Sequence, residues 1–178
     1  WEGRSVWRGR FQAQPRVVEL AREWTEDLRA RRNRDPSDRS VWDLRIARRL
    51  ADRLRERCTY TLDLPGVQQG RDGVEAFLFE TRRGHCEYFA SAHVVMCRAL
   101  GIPARLATGF RIGLSTPGVE GYLVRERDAH AWTEIYSPAA GWVIVDATGS
   151  ATAEDTSTRW ATLQGFWESA KFAWYEHV

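Results

Sequence analysis

The hydrophobic patterning of this chain predicts an α+β fold, with helices first and an antiparallel sheet second. The first hundred residues carry apolar side chains at spacings of three and four. Residues 104–146 instead fall into short strand-like runs separated by Gly, Pro, Ser and Thr. Segregated helices and strands point to helices layered on an antiparallel sheet rather than to alternating parallel units. A chain of 178 residues, 43% hydrophobic and 28% charged, suits one globular domain with a sizeable core.

Residues 1–15 lack a period and read as an arm or linker ending at Pro15. From Arg16, Val17, Val18, Leu20, Ala21, Trp24 and Leu28 predict a helix. Asn33–Ser40 forms a loop that offers an N-cap to a second helix, whose stripe is Val41, Leu44, Ile46, Ala47, Leu50, Ala51 and Leu54. Cys58–Leu64 reads as a short strand, 70–73 as a loop and Val74–Thr81 as a helix. The central element is Arg82–Leu100. From Cys86 its residues Phe89, Ala90, Val94, Cys97 and Leu100 form one buried helical face, ending at Gly101 with Pro103 beyond. Strands are then expected over 104–112, 122–126, 129–136 and 142–146, with a loop over 113–121. The domain proper is thus 16–150, followed by a linker from Ala151 and an aromatic-rich helix over 160–178.

Charge and cysteine content exclude several classes. The formal net charge is +2, and the arginines are spread among acidic residues, so no nucleic-acid partner is expected. The basic run Arg29–Arg34 reads as a solvated helix end or loop rather than a binding patch. Cysteines at 58, 86 and 97 make neither a disulfide framework nor a paired zinc motif. Cys58 and Cys97 read as core, and a bond between them is left open. A zinc site built from His85, Cys86 and His93 fails on helical spacing, so no metal and no cofactor is expected. No run of 18 apolar residues is present, and a start at Trp1 suggests a piece of a larger protein.

Cys86 is the candidate nucleophile. At the first turn of a helix, unpaired amides and the dipole favour an anion, which makes the thiolate the expected reactive form. Gly84 lets the backbone turn into the helix and leaves room for a substrate to approach. A nucleophilic cysteine also needs a base and a group that orients it. His130 on the third strand and Asp146 at the end of the fourth supply them. The two strands are joined by Ser137–Gly141, which is hairpin chemistry. If paired residue numbers sum to 276, His130 lies opposite Asp146; if to 278, the two are diagonal neighbours on one face. Asp128 is a lesser rival for the acid. Trp132 and Trp142 read as sheet core, with Trp132 also a candidate wall of the cleft. His85 reads as an exposed neighbour of the nucleophile and His93 as a packing or surface helix residue.

The segments RRGHCEYFASA, RALGIPAR with TGF, DAHAWTEIY and GWVIVDAT resemble, in order, the core motifs of the transglutaminase-like superfamily, in particular its bacterial membrane-anchored members of the TgpA type. The resemblance covers about Tyr60–Gly149. It implies a papain-like core in which the nucleophile-bearing helix packs on an antiparallel sheet, with Cys86 as nucleophile, His130 as base and Asp146 as orienting acid. The implied reaction is acyl transfer through a thioester, from a glutamine carboxamide of a protein or peptide to an amine. The backbone N–H of Cys86 is the expected oxyanion donor, Tyr60 is a weak second candidate, and Trp132, His85 and Tyr60 are the expected substrate contacts. The resemblance also implies an extracytoplasmic domain of a membrane-anchored protein. A cysteine peptidase or amidase acting on peptide or cell-wall bonds is the near alternative, and a non-catalytic binding module the more distant one.

Overall fold

The computed structural model describes residues 13–35, 39–63, 72–111 and 124–148. The chain divides into two compact units, Trp1–Gly109 with His130–Thr148, and Phe110–Ala129 with Gly149–Val178. The first contains every candidate site residue except the rival acid Asp128. In the second, the described residues include a 3₁₀ turn, Glu126–Asp128, capped by the Asp128 carboxylate accepting the Arg125 N–H. The expected strand over 122–126 therefore gives way to a turn at Glu126, its first two residues lying outside the described set. The arm over 1–12, the loop 113–121 and the linker and tail beyond 150 also lie outside it.

Helix α1 spans Pro15–Trp24, with proline in the first turn, where its missing N–H costs nothing. The sequence pattern suggested that this helix runs on through Leu28, but it stops at Thr25 (φ −129°) and α2, Glu26–Arg34, begins. Buried Thr25 turns its hydroxyl back onto the Ala21 carbonyl at 2.6 Å, a local bond that competes with helix continuation. Helix α2 buries no residue, and Arg31, Arg32 and Arg34 occupy its last turn, where they complement the dipole. Of the two settings expected for the basic run, helix end or loop, it has the helix end, with Arg32 turned inward onto Asp43 at 2.7 Å. Helix α3, Arg39–Arg57, buries Ile46, Ala47, Leu50, Ala51 and Leu54.

The expected strand after α3 shrinks to β1, Thr59–Tyr60, which pairs in parallel with β2, Arg83–Gly84. Between them, Asp72 caps α4, Gly73–Ala76, by accepting the Val74 and Glu75 amides. The helix then widens into a π turn, Phe77–Thr81, closed by Arg82 in the left-handed region (φ 48°). Helix α5, Cys86–Ala99, ends as expected: Gly101 (φ 73°) and a bond from Ile102 N–H to Cys97 O close its C-terminus.

Helix α5 is buried on more sides than the single stripe predicted, because Ala92, His93 and Met96 are covered as well as Phe89, Ala90, Val94 and Cys97. It contacts α1 and α3, and the Thr133 hydroxyl reaches its Ala90 carbonyl from the sheet at 3.4 Å. That sheet runs β3–β4–β5, with β3 Ala104–Phe110, β4 Ala129–Ser137 and β5 Gly141–Val145. Strands β4 and β5 are antiparallel, with Thr133 opposite Val145 and Ser137 opposite Gly141. Ala131, Thr133, Ile135 and Val145 face the core. Trp132 and Trp142, expected in the core, occupy the alternate positions of their strands and are only half-buried. Trp142 lies against Tyr136 and the Arg105 guanidinium. Among the described residues no helix is long and apolar enough to cross a membrane.

His93 is fully buried, with Nε2 2.8 Å from the Ala47 carbonyl on α3. That contact makes Nε2 the protonated, donating nitrogen, while buried Nδ1 has no partner. Burial pushes the imidazole down to about 4, against the favourable Ala47 bond. The unfolded chain, with an ordinary value of about 6.5, binds more protons between those limits. Stability is therefore complete above pH ~6.5 and falls by about 3 kcal/mol as pH drops toward 4. Thermal melts across that range should show this slope in the wild type and a shallower one in His93→Gln.

Candidate active site

Three backbone devices set the position of Cys86. Thr59 N–H bonds Arg82 O at 2.8 Å and Thr61 N–H bonds Gly84 O at 2.9 Å, so the end of α3 is tied to the turn that enters α5. His85 is the N-cap of α5, its Nδ1 accepting the Glu87 N–H at 3.4 Å while its ring meets Tyr88 edge-on. The exposed neighbour expected from sequence is thus a half-buried cap. Gly84 is required, but not to admit a substrate: a Cβ there would lie 2.7 Å from Tyr88 Cβ, so Tyr88 fills the space. Tyr60, opposite Gly84 in the β1–β2 pair, packs its ring against Phe89 of α5. Cys86 itself is half-buried at the first helical position.

All three cysteines are free, and only Cys86 is other than buried. Burial raises the Cys58 thiol to about 11, partly offset by Arg82, and raises fully buried Cys97 still further, with Asp43 adding to the rise. Cys97 Sγ lies 3.6 Å from His93 Nε2 inside the core. Iodoacetamide should therefore modify the native protein once, at Cys86, and three times after unfolding. Mass spectrometry of the two adducts checks this, and labelling of native Cys58 or Cys97 would contradict it.

The β4–β5 register sums to 278, which makes His130 and Asp146 diagonal neighbours, one of the two arrangements anticipated. His130 Nε2 lies 2.7 Å from Asp146 Oδ2, with the imidazole side chain 10% exposed. The other carboxylate oxygen, Oδ1, accepts two bonds from Thr148, the N–H at 2.9 Å and the hydroxyl at 2.6 Å. Burial alone would raise the Asp146 carboxyl, but the bonds from Thr148 and His130 outweigh it and hold the group below the usual carboxylate range. The backbone carbonyl of Asp146 in turn accepts Arg55 Nη1 from α3 at 2.8 Å. Asp128, the rival acid, instead accepts the Arg125 N–H.

Trp132 lies beside the imidazole, ring centroids 6.2 Å apart and planes 24° from parallel. Gly109 on β3 makes room for it: a Cβ there would sit 2.9 Å from Trp132 Cη2. Its buried Nε1 has no hydrogen-bond partner. Thr148, Arg55 and Gly109 were not singled out from sequence. A Thr two residues after a strand-ending Asp is a recognisable Asx-type signal, whereas Arg55 and Gly109 act across long sequence separations that no local pattern marks. Among the described residues, no cluster of three or more His, Cys, Asp or Glu could hold a metal ion.

The sequence model of the transglutaminase-like superfamily matches residues 28–147, about two thirds of the chain. A protein-glutamine gamma-glutamyltransferase of Pseudomonas aeruginosa is 46% identical over 89 residues, covering 50% of this chain and 13% of that protein. The uncharacterized protein YebA of Bacillus subtilis is 42% identical over 81 residues, 43% of this chain and 11% of its own length. The crystal structure of the periplasmic domain of TgpA from Pseudomonas aeruginosa superposes with a TM-score of 0.61 at 36% identity, covering 78% of this chain and 45% of that one. The chain thus spans about an eighth of these curated relatives and under half of the solved domain. On the extent of the family match and the agreement in fold, the chain belongs to the transglutaminase-like superfamily.

Proposed function

We propose that this domain catalyses thiol-dependent acyl transfer, with Cys86 as nucleophile, His130 as general base and acid, and Asp146 as the group that orients His130. The observation that supports the reading most is the 2.7 Å contact between His130 Nε2 and an Asp146 carboxylate held ionised. With Nε2 on the acid, Nδ1 is the nitrogen that serves the thiol in this reading. The tie between Thr133 and Ala90 joins β4 to α5 three residues from His130 and four from Cys86, about 10 Å along the strand and about 6 Å along the helix.

In this mechanism the Cys86 thiolate attacks the carboxamide carbon of a glutamine side chain. The tetrahedral oxyanion is met by the Cys86 N–H, which at the first helical position has no intrahelical acceptor. Imidazolium His130 protonates the departing ammonia, leaving the acyl group on sulfur as a thioester. A primary amine then attacks the thioester while His130 takes its proton, and the new amide is released. Trp132, His85 and Tyr60 would flank the acyl donor. The name of the Pseudomonas relative favours an amine as acceptor over water, and the likeness to a periplasmic domain favours an extracytoplasmic site on a bacterial membrane-anchored protein.

The test uses casein as glutamine donor and dansylcadaverine as amine. Amine incorporation with release of ammonia, lost in Cys86→Ala and His130→Ala, is the expected result. Ammonia release without incorporation would move the reading to hydrolysis. No reaction from a protein whose Cys86 alkylates like an ordinary thiol would favour a binding module.

A further inference from the structure

We propose that Thr148 and Arg55 are positioning residues that hold the Asp146 carboxylate in its productive orientation toward His130, Thr148 through the carboxylate oxygen Oδ1 and Arg55 through the backbone. This rests on the triad reading above and adds to it the groups that aim the acid. A carboxylate at the end of a strand can turn about two side-chain torsions, and one bond to His130 does not fix both. Thr148 removes that freedom: its N–H and its hydroxyl converge on Oδ1 at 2.9 and 2.6 Å, which leaves Oδ2 facing Nε2 of His130. Bonds to an ionised acceptor are roughly twice as strong as neutral ones, and Thr148 is only 5% exposed, so little water competes for them.

Arg55 fixes the other end of the residue. Its Nη1 donates to Asp146 O at 2.8 Å while Nη2 is held by Asp52 one turn earlier on α3. One guanidinium thus ties the helical layer to the point where β5 ends. A lysine could not make both contacts with the same planar fork. Among the groups around Asp146 are Thr148 on its own turn, His130 on β4 and Arg55 on α3, with His93 on α5 close enough to interact electrostatically.

The experiment compares wild type with Thr148→Val, Thr148→Ser, Arg55→Met and His130→Ala. The first readout is the rate of iodoacetamide alkylation of Cys86 at pH 6. The second is kcat and KM for dansylcadaverine incorporation into casein. Valine keeps the shape of threonine and removes only the hydroxyl. Thr148→Val should slow alkylation about fivefold and lower kcat about tenfold with KM unchanged, while Thr148→Ser stays within about twofold of wild type. Arg55→Met, at a partly exposed site, should lower kcat about threefold without changing KM. Wild-type alkylation and kcat in both Thr148→Val and Arg55→Met, with both lost in His130→Ala, would overturn this inference and leave the triad standing. A loss in Thr148→Val that serine does not restore would also overturn it. Wild-type behaviour of His130→Ala would remove the triad reading itself.

Discussion

Asp146→Asn is expected to lower kcat by about 10⁴, the loss seen when the orienting acid of a serine-hydrolase triad is neutralised. In this domain the size of the loss follows from Thr148. Its N–H donates to Oδ1, so the asparagine must place its amide oxygen there and turn its NH₂ toward His130 Nε2. An NH₂ donor requires Nε2 to accept, which moves the ring proton to Nδ1, the nitrogen proposed to serve the thiol. The base is then present and in place but in the wrong tautomer. Steady-state kinetics with casein and dansylcadaverine should show the fall in kcat with KM little changed, and a loss of less than about tenfold would mean that Asp146 does not set the tautomer.

Cys86→Ala is expected to remove turnover almost entirely, by about 10⁶, the scale on which deleting a covalent nucleophile acts. Neither of the other cysteines can take its place: Cys58 and Cys97 are buried, and burial holds both thiols in the protonated form at neutral pH. Because Cys86 is half-buried at the start of a long helix, alanine there removes the sulfur without opening a core cavity. The variant should melt within a few degrees of wild type, which separates loss of chemistry from loss of fold. Turnover retained in the alanine variant would assign the reaction to another group.

Much of this arrangement is legible in the sequence because it rests on local signals. The stripe of α3, the glycine that ends α5 and the hairpin at Ser137–Gly141 each follow from spacing or turn chemistry. The hairpin also reduced the His130–Asp146 question to two registers, of which the structure has the diagonal one. What was not legible depends on contacts between distant segments or on competition within one turn. Thr25 breaks the first helix because its hydroxyl prefers the Ala21 carbonyl, a choice that an apolar stripe running past it conceals. The short strand at Thr59–Tyr60 is legible, but its parallel pairing with Arg83–Gly84 joins segments that no local pattern relates. Trp132 and Trp142 read as sheet core in the sequence, yet strand alternation places Ala131, Thr133 and Ile135 there instead. The Asp146 carboxylate was legible, and Arg55, which reaches its backbone from 91 residues away, was not.

Cys86 and His130 are proposed to act as one unit, and the rate of Cys86 alkylation by iodoacetamide with and without the imidazole tests this most directly. At pH 6 Cys86 should be alkylated much faster in wild type than in His130→Ala, where the thiol has lost its base. Equal rates in the two proteins would contradict the account.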